Sequence, residues 1–413
     1  NASRWFARSL GHVALLLGLF TSSPIASGQA VVAPASPDPM TRFPLLGLLA
    51  SADAPLIVAY SPSGLDPRVE ANQRKLPTSS LRADLETLRP IFNGLALYGY
   101  DESLTPRLLG IAKELKFRAI LLGIWEPKSA AEIDGVIELA RLHQKDFALG
   151  VLVGNEGLTF NRYEIDDLRI AGARLRAKLP TSIPPGTTET WAGSKKPVVQ
   201  EYGDFLAVNI HPVFDRPQLG AAAAATWARE QALALAQSAG KPVLLKETGF
   251  PHDGKTGFTP QTQEAFWTAY LAQPRLVRLP NAPRAWVYHG FAFEAFDLPW
   301  KSQATGKPIE RSWGVFTNDR KPLPALEPWK AAGKSKPVGP RNPRRALEGI
   351  PNCPPMPVAR DLISALQSHP ATPNSPGAEK TPSTTLTSRM NPNYTYSAHG
   401  PESRKGGHSL SSQ

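Results

Sequence analysis

A single (β/α)8 barrel with extensions at both ends is the fold the sequence predicts, and three observations predict it. Between about residues 51 and 330, apolar strand-like runs alternate with amphipathic helical stretches, the pattern of a parallel sheet covered by helices. The starts of eight such runs, from residue 56 to residue 286, advance by about 33 residues each, the length of one strand-plus-helix unit in an eight-unit barrel. Finally, Glu156 and Glu247 each follow an apolar run, and their separation of 91 positions is about three units, which assigns them to strands 4 and 7.

The elements follow in order. Residues 1–30 read as an export leader: Arg4 and Arg8, an apolar core from Val13 to Phe20, then small residues ending Gly28-Gln29-Ala30. Residues 31–50, with Pro34, Pro37, Pro39 and Pro44, read as a linker. Strands are predicted at 56–60, 94–98, 118–124, 148–153, 187–190, 206–210, 243–246 and 286–293; the fifth is short and follows Pro184-Pro185. Apolar residues three and four apart, as in Ile133, Val136, Ile137 and Ala140, mark the helices between them. An open doubly wound sheet would place a glycine-rich phosphate loop after the first strand, and Ser61-Pro-Ser-Gly-Leu-Asp-Pro lacks that pattern. Residues 331–413, rich in Pro, Ser and Thr with little apolar periodicity, read as a disordered tail.

Composition narrows the function classes. The net charge is +11, but ten Lys/Arg against four Asp/Glu lie from Lys334 onward, so +6 belongs to the tail and +5 to everything before it. No basic run interleaved with aromatics occurs in the barrel region, so no nucleic-acid partner is expected. Cys353 is the single cysteine, which excludes an intramolecular disulfide and a multi-cysteine metal site. No His/Asp/Glu cluster has metal-ligand spacing, and neither metal nor cofactor is expected. After the leader no run approaches the ~20 apolar residues that span a bilayer. A secreted or periplasmic monomer, not stably inserted in a membrane once the leader is removed, is the expectation.

Glu156 and Glu247 carry the chemistry. Two carboxylates meeting across a barrel mouth can cleave an acetal with retention, one protonating the leaving oxygen while the other attacks the anomeric carbon. The bland alternatives are a helix N-terminal residue for Glu156 and an ion-pair partner of Lys246 for Glu247. Strand alternation puts neighbouring residues on opposite faces, so no contact between Lys246 and Glu247 is expected.

Four segments, Val153-Gly-Asn-Glu156, Val208-Asn-Ile-His-Pro-Val-Phe214, Lys246-Glu-Thr-Gly-Phe-Pro251 and Glu310-Arg-Ser-Trp-Gly-Val-Phe316, stand in the order seen in glycoside hydrolase family 17. Over about residues 55–325 the chain resembles that family of β-1,3-glucanases and transglucosylases, its bacterial branch most of all. The resemblance implies a β-glucan substrate, with Glu156 as general acid/base, Glu247 as nucleophile, Asn155 on the sugar 2-hydroxyl and Tyr98 beside the nucleophile. It further implies substrate contacts from Asn209, His211, Phe250, Asp297, Lys301 and Glu310. Trp191, Phe214, Trp300 and Trp313 join Phe250 as aromatic faces for pyranose rings. Leu298 departs from the pattern, since an acidic residue is usual there. A retaining hydrolase acting through a glucosyl-enzyme is the leading expectation. A transglucosylase with little hydrolysis, a non-catalytic polysaccharide-binding barrel and another retaining glycosidase such as a mannanase remain open beside it.

Overall fold

The computed structural model describes residues 42–69 and 71–334; the expected leader and residues 335–413 of the expected tail lie outside the described residues. Strands β1 (Ile57–Ala59), β2 (Gly94–Ala96), β3 (Ala119–Ile124), β4 (Ala148–Val153), β5 (Pro185–Thr190), β6 (Phe205–Asn209) and β7 (Val243–Glu247) pair in sequence order, all parallel. After β8 (Leu276–Leu279) come β9 (Ala282–Tyr288), which pairs with β7, and β10 (Phe291–Ala292), which pairs with β1. β9 and β10 are separated by two residues and together form the eighth stave, which closes the ring. Hairpin strand β8, antiparallel to β9, is an addition that the eight-unit spacing did not predict.

Helices α1 (Pro44–Leu49), α2 (Thr78–Leu88), α3 (Thr105–Glu114), α4 (Ala130–His143), α5 (Ile165–Lys178), α6 (Ala221–Ala239), α7 (Pro260–Leu271) and α8 (Leu326–Lys334) surround or cap the barrel. Between β5 and β6 only the short helix Pro197–Glu201 and a 3-10 turn intervene. β5 begins at Pro185, two residues before the expected start; a proline is tolerated as the first residue of a strand because its missing N–H costs no ladder bond there.

Side-chain alternation divides the strands into two cores. Ile120 and Leu122 of β3 pack outward against helices, while Ala119 and Leu121 turn inward. The inward set, with Ile57, Leu152, Phe205, Leu244 and Trp286, meets Phe43, Leu45, Leu46 and Leu49 from α1 and the residue before it. Residues 43–49, placed by the sequence in a linker, therefore form a buried plug under the barrel. Pro44 starts α1 at its first turn, where no N–H is needed. A Cβ on Gly150 would come within 2.6 Å of Leu45 Cδ2, so the glycine in β4 makes room for the plug. Burying each of its leucines is worth about 1.5–3 kcal/mol. With the N-terminal ends of the strands closed by hydrocarbon, the C-terminal ends are left to carry the polar residues.

Candidate active site

Glu247 is the last residue of β7 and is 4% exposed. Register along β6 sets its direction: Val208 lies opposite Leu245, but Asn209 lies opposite Glu247, so Lys246 is an extra residue in β7. This bulge cancels the expected alternation and turns Lys246 and Glu247 to the same side. Lys246 Nζ donates to Glu247 Oε1 at 2.5 Å and to Asn155 Oδ1 at 2.9 Å. The expectation that the two side chains do not meet is thus corrected.

Glu156 comes three residues after β4, in a left-handed turn (φ 59°) that follows Gly154 (φ 74°). No helix starts there; α5 begins at Ile165. Left-handed backbone is unfavourable for a residue with a side chain, and several contacts hold the turn. Glu156 N–H donates to Thr188 O at 2.9 Å, and Arg162 donates to Asn155 O at 2.6 Å and Trp125 O at 2.8 Å. The Arg162 guanidinium lies 3.9 Å from the centroid of the Trp125 ring. Glu189, buried on β5, accepts from Leu158 N–H, Thr159 N–H, the Thr159 hydroxyl and the Tyr163 hydroxyl. Tyr163 fills the space against Gly154 and Gly157 where any Cβ would clash.

These elements bring both carboxylates together. Glu156, His211 and Glu247 each place one atom within 4.8 Å of the others. Three such atoms could hold a cation, but an ammonium, Lys246, already sits on Glu247. Asn209 Nδ2 donates to Glu156 Oε1 at 2.9 Å and to Asn155 Oδ1 at 3.2 Å. On Glu247 Oε2, His211 Nε2 lies at 3.3 Å, its ring wedged 5.0 Å from Phe293 and 5.1 Å from Trp313. The Tyr98 ring lies 4.5 Å beneath Lys246 Nζ.

The two acids are pushed apart electrostatically. Burial, then the charge of Glu247, pushes Glu156 up to about 7. Burial would raise Glu247 as well, yet the Lys246 ammonium and the His211 contact outweigh it and hold Glu247 down to about 2. Burial works against protonation of His211, but Glu247 and the charges of Glu156 and Glu310 win and raise it.

Other predicted residues divide. Lys301 is buried, on both oxygens of Glu294 at 2.6 and 2.7 Å; burial pushes Glu294 up to about 7 despite the lysine. Glu310 accepts from Trp313 Nε1 at 3.2 Å, beside His211. Asp297 is occupied by His252 Nε2 at 3.0 Å and Gly314 N–H at 3.0 Å. Phe250 packs into the core against Phe258 and Phe266, not into the mouth. Lys195 and Arg216 lie over the Trp191 ring, and Trp300 and Trp313 are buried. Of the aromatic candidates Phe214 is the most exposed, at 42%, although Lys307 Nζ lies 4.9 Å from the centroid of its ring. Leu298 is buried at 1% exposure. Sequence reasoning missed Lys246, Glu189 and Glu294; Lys246 was hidden by the bulge and Glu189 by the polar run Thr187-Thr188-Glu189-Thr190 around it, whereas Glu294, an acid among apolar residues just after β10, was a readable signal.

Among the described residues no helix is long and apolar enough to cross a membrane. A "Glucan 1,3-beta-glucosidase" of Saccharomyces cerevisiae is 27% identical over 269 residues, 58% of this chain and 82% of the yeast protein. A "Probable glucan endo-1,3-beta-glucosidase btgC" of Aspergillus fumigatus is 28% identical over 290 residues, 63% of this chain but 42% of the longer relative. The fold is shared with the glycoside hydrolase family 17 β-1,3-glucanosyltransferase of Rhizomucor miehei at a TM-score of 0.50 and 19% identity, covering 67% of this chain and 97% of the other. The family model of the BtgE/BtgC glycoside hydrolase domain matches residues 58–314, over half of the chain, and with the two acids at the barrel mouth this makes the protein a member of that glycoside hydrolase family.

Proposed function

We propose that this enzyme is a retaining glycosidase that cleaves β-1,3-glucan, with Glu247 as nucleophile and Glu156 as general acid/base. One observation carries the reading: one carboxylate oxygen of Glu156 lies within 4.8 Å of one of Glu247, in keeping with the ~5–5.5 Å of retaining carboxyl pairs and short of the ~6.5–9.5 Å that inverting pairs need for a water. Their opposite charge preferences fit the same roles.

Glu156, protonated, gives its proton to the glycosidic oxygen as the bond to the anomeric carbon breaks, and the Glu247 carboxylate attacks that carbon to form an ester. Ester formation removes the negative charge that had raised Glu156. The Glu156 carboxylate then accepts the proton of an incoming water, or of a glucan hydroxyl, as the ester is cleaved. Asn155, oriented by Lys246 and Asn209 on its Oδ1, has its amide N–H2 free to meet the sugar 2-hydroxyl. His211 Nδ1 and Asn209 Oδ1 are buried without a hydrogen-bond partner among the described residues.

Relatives that act on β-1,3-glucan support the substrate class. The proposed working form is a monomer; a polymeric substrate and the apolar stretch Val13–Phe20 favour action outside the cytoplasm. Incubation with laminaripentaose should give shorter products that first appear as the β-anomer, with kcat/KM falling as pH rises through about 7 and Glu156 loses its proton. Initial release of the α-anomer would overturn retention; products longer than the substrate would assign transfer as the main reaction.

A further inference from the structure

Lys246 is a buried ammonium that two-carboxylate chemistry does not require. Its side chain is 3% exposed, the β7 bulge turns it inward, and its one acidic hydrogen-bond partner is Glu247. Its other contacts are neutral: Asn155 Oδ1 at 2.9 Å and the Tyr98 ring. Glu294 cannot replace Glu247 as counter-charge, since Lys301 occupies both its oxygens. A buried charge is tolerated only while paired. Lys246 is therefore hydrogen-bonded to its counter-charge while Glu247 is a carboxylate and loses that direct partner once Glu247 is a neutral ester, when the negative charge stands on Glu156, which acts on Lys246 through space with no hydrogen bond between them.

We propose that Lys246 is a positioning residue that shortens the life of the glucosyl-enzyme, driving the second half of the reaction through its effect on Glu247. This rests on the reading of Glu247 as the nucleophile. In that half-reaction the bond between the anomeric carbon and the Glu247 oxygen breaks and its electron pair returns to the carboxylate. The acceptor oxygen bonds the anomeric carbon, and its proton passes to Glu156. Negative charge reappears next to Nζ, so the cation favours the transition state over the ester. In the first half-reaction the same cation weakens the nucleophile. Lys246 thus acts oppositely on the two steps, which a purely structural side chain would not do. His211 on the second oxygen of Glu247, with Glu156 and Tyr98 facing it, is common to both steps.

The test compares wild type, Lys246→Met and Lys246→Gln with 2-deoxy-2-fluoro-β-laminaribiosyl fluoride, following adduct formation by intact mass, its position by peptide mapping, and reactivation by added laminaribiose. Label on Glu247, with formation no slower in the variants and reactivation slower by about tenfold or more, is the expected result. With ordinary substrate, kcat and KM should fall together. Unchanged reactivation, or equal slowing of both steps, overturns the proposal. The Gln variant keeps a donor for Asn155 Oδ1 without the charge and carries the test if the Met variant does not fold; wild-type reactivation in it would assign the effect to the Asn155 contact and overturn the role of charge. Label on a residue other than Glu247 in the wild type would instead overturn the nucleophile assignment underneath.

Discussion

Toward the N-terminal ends of its strands this barrel is filled by Phe43, Leu45, Leu46 and Leu49, while toward the C-terminal ends it encloses Lys246, Glu247, Glu294 and Lys301, each less than a tenth exposed. Both ends are buried, but the energetics run in opposite directions. Hydrocarbon at the lower end is favourable wherever it is packed. Ions at the upper end have lost their hydration and are retained only as pairs, Lys246 with Glu247 and Lys301 with Glu294. The lower end is packed hydrocarbon, and the charges that the proposed reaction uses stand on that support. Substitutions at the two ends should therefore separate by turnover: upper-end changes alter the turnover of folded molecules, with or without a loss of stability, whereas lower-end changes reduce stability and spare the turnover of molecules that remain folded.

The largest effect is expected for Glu247→Gln. Loss of the proposed nucleophile should lower kcat by about 10⁴-fold or more with laminari-oligosaccharides. It also leaves Lys246 without its counter-charge, which should lower stability by about 3–5 kcal/mol in urea denaturation. A Gln variant as stable as the wild type would show that the upper-end ions are not held by pairing, and would remove the contrast between the ends.

How far this arrangement could be read in the residues follows the same division. Strand spacing and alternation revealed the barrel because they are periodic, and the position of Glu156 and Glu247 after apolar runs pointed to the mouth because strand ends deliver side chains there, where the fold brings the two within 4.8 Å. What stayed hidden depended on departures from period. One extra residue in β7 reversed the facing of Lys246. The plug was masked by the prolines around it, since Pro44 reads as a linker residue although it starts a helix. Phe250 looked like a stacking face because it follows a strand end, but the chain turns after Gly249 and buries it among Phe258 and Phe266. Sequence position gives the end of the barrel on which a residue stands; only packing decides whether its ring faces the mouth or the core.

Leu45→Ala probes the lower end alone. Leu45 is fully buried, with its Cδ2 against Gly150, a position with no side chain to move into the space. A loss of about 2–5 kcal/mol is expected from denaturant melts. At 25 °C, kcat should stay within about twofold of wild type, because the site is at the opposite ends of the strands. A large fall in kcat with the protein still folded would mean that the plug sets the geometry of the mouth.

Glu189→Gln should give the smallest effect and tests the join between the two ends. Glu189 rises from β5 and never meets the substrate in the proposed reaction, but its two oxygens accept four hydrogen bonds from the loop that carries Glu156. Gln keeps the size and one acceptor oxygen while its N–H2 faces donors, so part of this set is lost at a cost of about 1–3 kcal/mol. That energy holds a left-handed turn in place. Loosening it should lower kcat more than stability alone predicts, by about tenfold, because an acid displaced by a fraction of an ångström no longer aligns with the leaving oxygen. The signature is specific: a substrate with a nitrophenol leaving group, which departs without full protonation, should be hydrolysed at nearly the wild-type rate, while laminari-oligosaccharides should suffer the whole loss. Equal losses on both substrates would mean that Glu189 supports the nucleophile side as well, and that the loop after β4 does not act as a separate unit.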